Sequence, residues 1–361
     1  MAGRGASNTA RVASSHVARG VLSLLFAFAA AWAATGVDAT PGRDGHLLKE
    51  QARGANGAHL RADDTVQDLL NHPAFTGFAR LLLPWDDRSY DSRLPLRDLD
   101  TLLPYHSHVD TASVISALNR MIDDVHAGRS VFYDVYTGRQ KAEDAGKANT
   151  GLFFFRGRPG APFAVIAPGG GFSYVGSIHE GFPYAVAIRD RGYNAFVLKY
   201  RVGSGGAPAT RDLAAAVSYI FRNAKRLGVS TEGYSLWGSS AGARMAGAIG
   251  SHGTARFGGD DLPKPSAVVM AYTAHSEVAA HEPPTFVVVG EHDGIASPSV
   301  MERRVAAVRA TGAAVEFRRY PRLGHGFGPG IGTSAEGWLD RAVEFWEKVN
   351  ASKAGSRTPR Q

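Results

Sequence analysis

From Val131 onward, short β-branched and aromatic runs alternate with stretches of helical periodicity. The expected strand runs are Phe132–Tyr136, Leu152–Phe155, Phe163–Ala167, Ala195–Tyr200, Tyr234–Trp237, Val268–Tyr272, Phe286–Val289 and Val315–Tyr320. Several are apolar throughout instead of alternating, as strands covered on both faces of a sheet must be. Strand–helix–strand repetition of this kind predicts an α/β architecture: a twisted, mostly parallel sheet of about eight strands with helices on both faces. Leu213, Val217, Ile220, Phe221 and Leu227 mark one amphipathic helix that ends at Gly228. Pro298 opens another, with Val300, Met301, Val305 and Val308 on its buried face. Thr333 and Glu336 have the spacing of a capping box for a last helix that carries Trp338, Leu339, Val343, Trp346 and Val349.

The amino-terminal part reads differently. Residues 1–20 hold Arg4, Arg11 and Arg19 and no acid, and Val21 to Ala34 is an uncharged run of 14 residues. A membrane span needs about 20, so no stable span is expected. A basic start, a short apolar run and a small-residue exit at Val37-Asp38-Ala39 describe a cleavable secretory signal over residues 1–39, with Ala31-Trp32-Ala33 as a second exit. A secreted or periplasmic location follows. Residues 40–62, rich in Gly, Ala and Arg without period, read as a flexible linker. Residues 63–130 are expected to form an N-terminal helical extension. Asp63-Asp64 would cap a short helix stopping near Pro73, and Asp110 or Thr111 a longer one through Val114, Leu118, Met121 and Val125. The α/β domain then covers 131–350, and 351–361 is a disordered tail.

Chemistry is sought beyond the carboxyl ends of the strands, where such sheets bind ligands. After Tyr234–Trp237 comes Gly238-Ser239-Ser240-Ala241-Gly242, a G-x-S-x-G. Small neighbours let a sharp strand-to-helix turn form and expose the central Ser240. A hydroxyl needs a base at neutral pH, and His325 stands between Gly324 and Gly326 after the last strand. A base needs an acid to fix its tautomer. Asp293 lies in the loop after Phe286–Val289, with Glu291 as the runner-up. Gly169-Gly170-Gly171 follows an early strand. Its Gly170 and Gly171 N–H groups, with that of Ala241, are the candidate oxyanion donors. No G-K-[ST] follows this loop, and no G-x-G-x-x-G occurs in it, so a phosphate cradle is not expected. Tyr174, His179 and Glu180 come just after it and are candidates for substrate contact or, equally, for a structural role. His106 and His108 have no third ligand at metal spacing, and Pro183 breaks any H-E-x-x-H at His179. No metal and no cofactor is expected. The chain has no Cys, which removes thiol nucleophiles and disulfides. Its formal charge of +7 is scattered, without the clustered basic face of a nucleic-acid binder.

The order Ser240, Asp293, His325 with a Gly-rich loop before it resembles the α/β-hydrolases of the esterase/lipase type. The chain from about Val131 to Val349 is similar to small secreted acetyl-esterase and carbohydrate-esterase-like members. Many hormone-sensitive-lipase-like esterases carry His before the three Gly, where this chain has Pro168. The resemblance implies a serine hydrolase that cleaves short-chain carboxylic esters, on a small molecule or as acetyl groups on polysaccharide, through an acyl-enzyme. A serine peptidase, a cinnamoyl or long-chain lipase, and a non-catalytic binding protein of the same fold are the alternatives. Oligomeric state is not legible.

Overall fold

Eight strands form one sheet in the computed structural model, which describes residues 57–357. The expected signal segment 1–39, residues 40–56 of the expected linker and residues 358–361 lie outside the described residues. The strands are β1 (Phe132–Tyr133), β2 (Gly151–Phe155), β3 (Pro162–Ala167), β4 (Asn194–Lys199), β5 (Ser230–Ser239), β6 (Ala267–Ala271), β7 (Thr285–Gly290) and β8 (Val315–Tyr320). Their order across the sheet is β1-β2-β4-β3-β5-β6-β7-β8. β1 and β2 are antiparallel to their neighbours, and β3 to β8 run parallel. β2, β4, β6 and β7 are buried at every residue, which accounts for their unbroken apolar runs.

The side chains of each strand divide between two cores. Phe153, Phe155, Ala164, Ile166 and Val197 face one; Leu152, Phe154, Phe163, Val165 and Leu198 face the other. The second core is closed by helices α6 (Gly206–Leu227), α7 (Ala241–His252) and α8 (Pro298–Ala310). The first is closed by α5 (Phe182–Asp190), α9 (Trp338–Arg357) and the chain from Leu60 to Val131. Within that chain lie α1 (Val66–Asn71), α2 (Ala79–Leu82) and α3 (Thr111–His126). α4 (Gly138–Glu143) lies between β1 and β2. Among the described residues no helix is long and apolar enough to cross a membrane.

The N-terminal helices are held by more than apolar contact. Lys199, at the end of β4, is fully buried and donates to the carbonyls of Leu83 (3.0 Å) and Pro84 (2.9 Å) while pairing with Asp86 at 2.9 Å. Three acceptors meet the three donors of the ammonium. Burial lowers the Lys199 pKa, with Asp86 opposing that shift.

Four local expectations change. Thr65, not Asp63-Asp64, caps α1, in a capping box with Asp68. Residues 57–62 are not a free linker: Leu60 is buried, and its N–H and C=O both bond the Asn119 side chain on α3. Thr333 and Glu336 do not cap α9, which begins at Trp338. Positive φ at Gly330, Gly332 and Gly337 keeps residues 330–337 in turns. Residues 351–357, expected as tail, continue α9.

Candidate active site

Three strand ends converge at the carboxyl edge of the sheet. Ser240 follows β5 and holds φ 48°, ψ −115°, a conformation that L-residues rarely adopt. It persists because its surroundings allow nothing else. A Cβ on Gly242 would overlap the Ala167 carbonyl, and one on Gly238 would overlap the Gly242 backbone. The Ser240 N–H is fixed to the Ala271 carbonyl at 2.8 Å. The turn presents Oγ 2.8 Å from Nε2 of His325.

His325 arrives on the loop after β8, and its Nδ1 lies 2.8 Å from Oδ2 of Asp293, in the loop after β7. The other carboxylate oxygen of Asp293 accepts the N–H groups of Ile295 (2.9 Å) and Ala296 (2.7 Å). Both oxygens are thus used, which fixes the carboxylate plane and through it the imidazole. Glu291 points elsewhere, to Arg319 at 3.5 Å.

The loop after β3 carries Gly169–Gly171. The Gly169 N–H donates to Oε2 of Glu180 at 2.5 Å. Those of Gly170, Gly171 and Ala241 have no hydrogen-bond partner among the described residues. Gly170 (φ 129°) and Gly171 (φ 63°) both need the backbone freedom of glycine. The structure therefore brings Ser240, Asp293 and His325 into one hydrogen-bonded chain, with unspent N–H donors on the adjoining loop and at the start of α7.

Tyr174, His179 and Glu180, for which substrate contact and a structural role were both open, are buried and occupied. The turn Ser177–Gly181 points His179 and Glu180 inward. Glu180 accepts from Gly169 N–H, from Tyr272 Oη–H at 2.7 Å, and faces Nε2 of His106 at 3.1 Å. Burial alone would raise its pKa; His106, His179 and the Tyr272 hydrogen bond outweigh that and bring it to about 2. His179 contacts the Gly326 carbonyl at 3.1 Å, and burial, with His106 beside it, holds its pKa down to about 4. Tyr174 Oη accepts the Tyr105 N–H and bonds Nδ1 of His106 at 2.8 Å. These three residues brace the site from behind.

Sequence reasoning missed what the N-terminal chain supplies. Ser107 donates its N–H to the Gly326 carbonyl and its hydroxyl to the His325 carbonyl, both at 2.9 Å. His106, weighed only as a metal ligand, is part of the buried network under the Gly loop, and His108 is not in it. Tyr272 was missed too; its ring stands 5.2 Å from that of His325 and its hydroxyl joins Glu180 to Gly328. The signal available was two His in a Pro-bounded loop, with nothing local to say where they pointed. Among the described residues no group of three or more His, Asp or Glu is arranged to hold a metal ion.

A family model described as BD-FAE matches residues 157–261, which include Gly169–Gly171 and Ser240. Endo-1,4-beta-xylanase B of Butyrivibrio fibrisolvens is 32% identical over 93 residues, covering 24% of this chain and 14% of that protein. The chain thus spans 14% of the length of this curated relative. Among solved structures, an acetyl ester-xyloside bifunctional hydrolase from Caldicellulosiruptor lactoaceticus aligns with a TM-score of 0.53 and 19% identity, over 60% of this chain and 96% of that one. MGS-M1, an α/β hydrolase enzyme from a Medee basin deep-sea metagenome library, aligns at 0.49 and 24% identity, over 56% and 93%. Sheet order and likeness together identify the α/β-hydrolase fold.

Proposed function

We propose that this chain is a serine hydrolase that cleaves short-chain carboxylic esters, with acetyl groups on polysaccharide as the substrate class. One observation carries the reading: Oγ of Ser240, the His325 ring and the Asp293 carboxylate form a continuous chain with 2.8 Å links, beside unspent backbone donors. In the first step Ser240 Oγ attacks the ester carbonyl and its proton passes to Nε2 of His325. Asp293 holds Nδ1–H and stabilises the imidazolium. The Gly170, Gly171 and Ala241 N–H groups face the oxyanion of the tetrahedral intermediate, each donor contributing about 2.7–4 kcal/mol to its stabilisation. His325 then gives the proton to the leaving alkoxide, and the alcohol departs. Water, activated by the same imidazole, releases the acid and restores Ser240.

The acetyl-polysaccharide assignment draws support from likeness to a xylanase and to an acetyl ester-xyloside hydrolase. Export through a cleavable segment 1–39 belongs to the same proposal, since polysaccharide lies outside the cell. The test is turnover of p-nitrophenyl esters from acetyl to palmitoyl, with Ser240→Ala beside the wild type. Acetyl or butyryl esters should be preferred, and kcat of the variant should fall by about 10⁴-fold or more. Undiminished activity in Ser240→Ala would end the serine mechanism.

A further inference from the structure

Three large apolar side chains are exposed among the described residues: Tyr105, Ile295 and Ile331. All belong to loops that build the site. Ile295 lies two residues beyond Asp293, Ile331 six beyond His325, and Tyr105 comes from the N-terminal chain.

Tyr105 is the best defined of the three. One face of its ring stacks on the buried Tyr174, with centroids 5.6 Å apart and planes at 21°. Its edge lies 3.2 Å from where a Cβ on Gly171 would stand. Its N–H is tied to Tyr174 Oη at 3.1 Å, and its carbonyl packs on Gly326, next to His325. The ring is therefore fixed between the Gly loop and the histidine loop, yet 44% of the residue remains exposed. A ring already immobilised by a buried partner loses little freedom when something settles on its open side. Beside the same Gly loop, at Ser173, opens a cavity of about 450 Å³ lined by Asp86, Asp87, Asn149, Ser173, Ser204 and Arg211. These side chains can bond hydroxyl groups, and Val202 and Pro208 complete the wall beside them.

We propose that Tyr105 is the stacking platform for the pyranose ring that bears the ester, with the polar cavity at Ser173 taking the neighbouring sugar. The C–H face of a pyranose is weakly positive and the face of a phenol ring negative, so the two attract beyond simple burial. This rests on the ester-hydrolase reading for its substrate, and it makes a segment outside the Gly238–Gly242 motif a specificity determinant.

Binding and catalysis test it separately. In the first arm, acetylated xylotetraose is titrated calorimetrically into Ser240→Ala protein, which should not cleave it. Adding Tyr105→Ala should raise Kd about tenfold, and Tyr105→Phe should leave it within twofold, since the ring stays. An unchanged Kd in Tyr105→Ala, or no binding to protein that keeps Tyr105, overturns the platform whether or not the chain is an active esterase. The second arm compares kcat/KM for the acetylated oligosaccharide, p-nitrophenyl acetate and ethyl acetate. In Tyr105→Ala the ratio of oligosaccharide to ethyl acetate should fall about tenfold. An equal loss on all three reveals a purely structural role and overturns the proposal. A fall confined to p-nitrophenyl acetate assigns the platform to aryl esters and overturns it too. Wild type that turns over no ester refutes the hydrolase reading, and the calorimetric arm still decides the platform.

Discussion

The Gly169 N–H and the Glu180 carboxylate, eleven residues apart, meet at 2.5 Å beneath the Gly loop. The same carboxylate accepts from Tyr272 and faces His106, so one buried charge joins the loop after β3, the end of β6 and the N-terminal chain. Gly169 is thereby tethered at the start of the loop, while the N–H groups of Gly170 and Gly171 that follow it are unspent.

Glu180→Gln should show what that tether does. Glutamine has one acceptor oxygen where the carboxylate has two, so Gly169 or Tyr272 loses its partner. Loosened donors should cut kcat by about 10²-fold with KM nearly unchanged, because they act on the developing oxyanion and not on the ground state. A change in KM with kcat preserved would show that the loop does not serve the oxyanion.

Gly242→Ala tests the turn that holds Ser240. The added methyl would overlap the Ala167 carbonyl, which is sheet backbone and has no room to retreat. We expect a loss of about 2 kcal/mol or more in denaturant unfolding, together with loss of ester turnover. Gly138→Ala, at a position with nothing within 4 Å, is the control and should be neutral. Equal stability of the two variants would mean that β3 and β5 can separate at this point.

Acid should destabilise the protein well before its surface carboxylates titrate. His179 is held down to about 4 in the folded state against an ordinary 6.5. At pH above 6.5 both states are neutral there and stability is full. Between 6.5 and 4 only the unfolded chain takes the proton, so stability falls with pH. Glu180, lowered to about 2, adds a second loss as pH drops below its ordinary 4.5. Urea midpoints measured from pH 7 to pH 4 should decline in the wild type and decline less in His179→Asn. Parallel curves would remove His179 from the cause.

Much of the sheet was legible because its strands are buried on both faces, and an unbroken apolar run in a βα repeat has few other uses. The runs at Phe163, Ala195, Val268 and Phe286 are of this kind, and each lies within two residues of the start of an observed strand. The run from Phe132 shortens to two residues because it is an edge strand that meets only β2. Ser240, Asp293 and His325 could be singled out because each sits in a short Gly-flanked loop straight after a strand. The positions of Tyr105, His106 and Ser107 could not be read. Ser107 and His325 are 218 residues apart, and no local pattern records a contact that only the finished fold creates. Tyr174, His179 and Glu180 were close in sequence to the right loop, but an irregular turn has no period from which to tell inward from outward.

The buried ammonium of Lys199 has a consequence for how the molecule comes apart. While Lys199 stays buried at the end of β4, the carbonyls of Leu83 and Pro84 and the carboxylate of Asp86 are what compensate its charge. Detachment of the N-terminal chain from β4 therefore breaks all three of these bonds at once. Native-state hydrogen exchange should find amides of α3 and β4 opening together at one free energy, as a single cooperative unit and not as an appendage on a core.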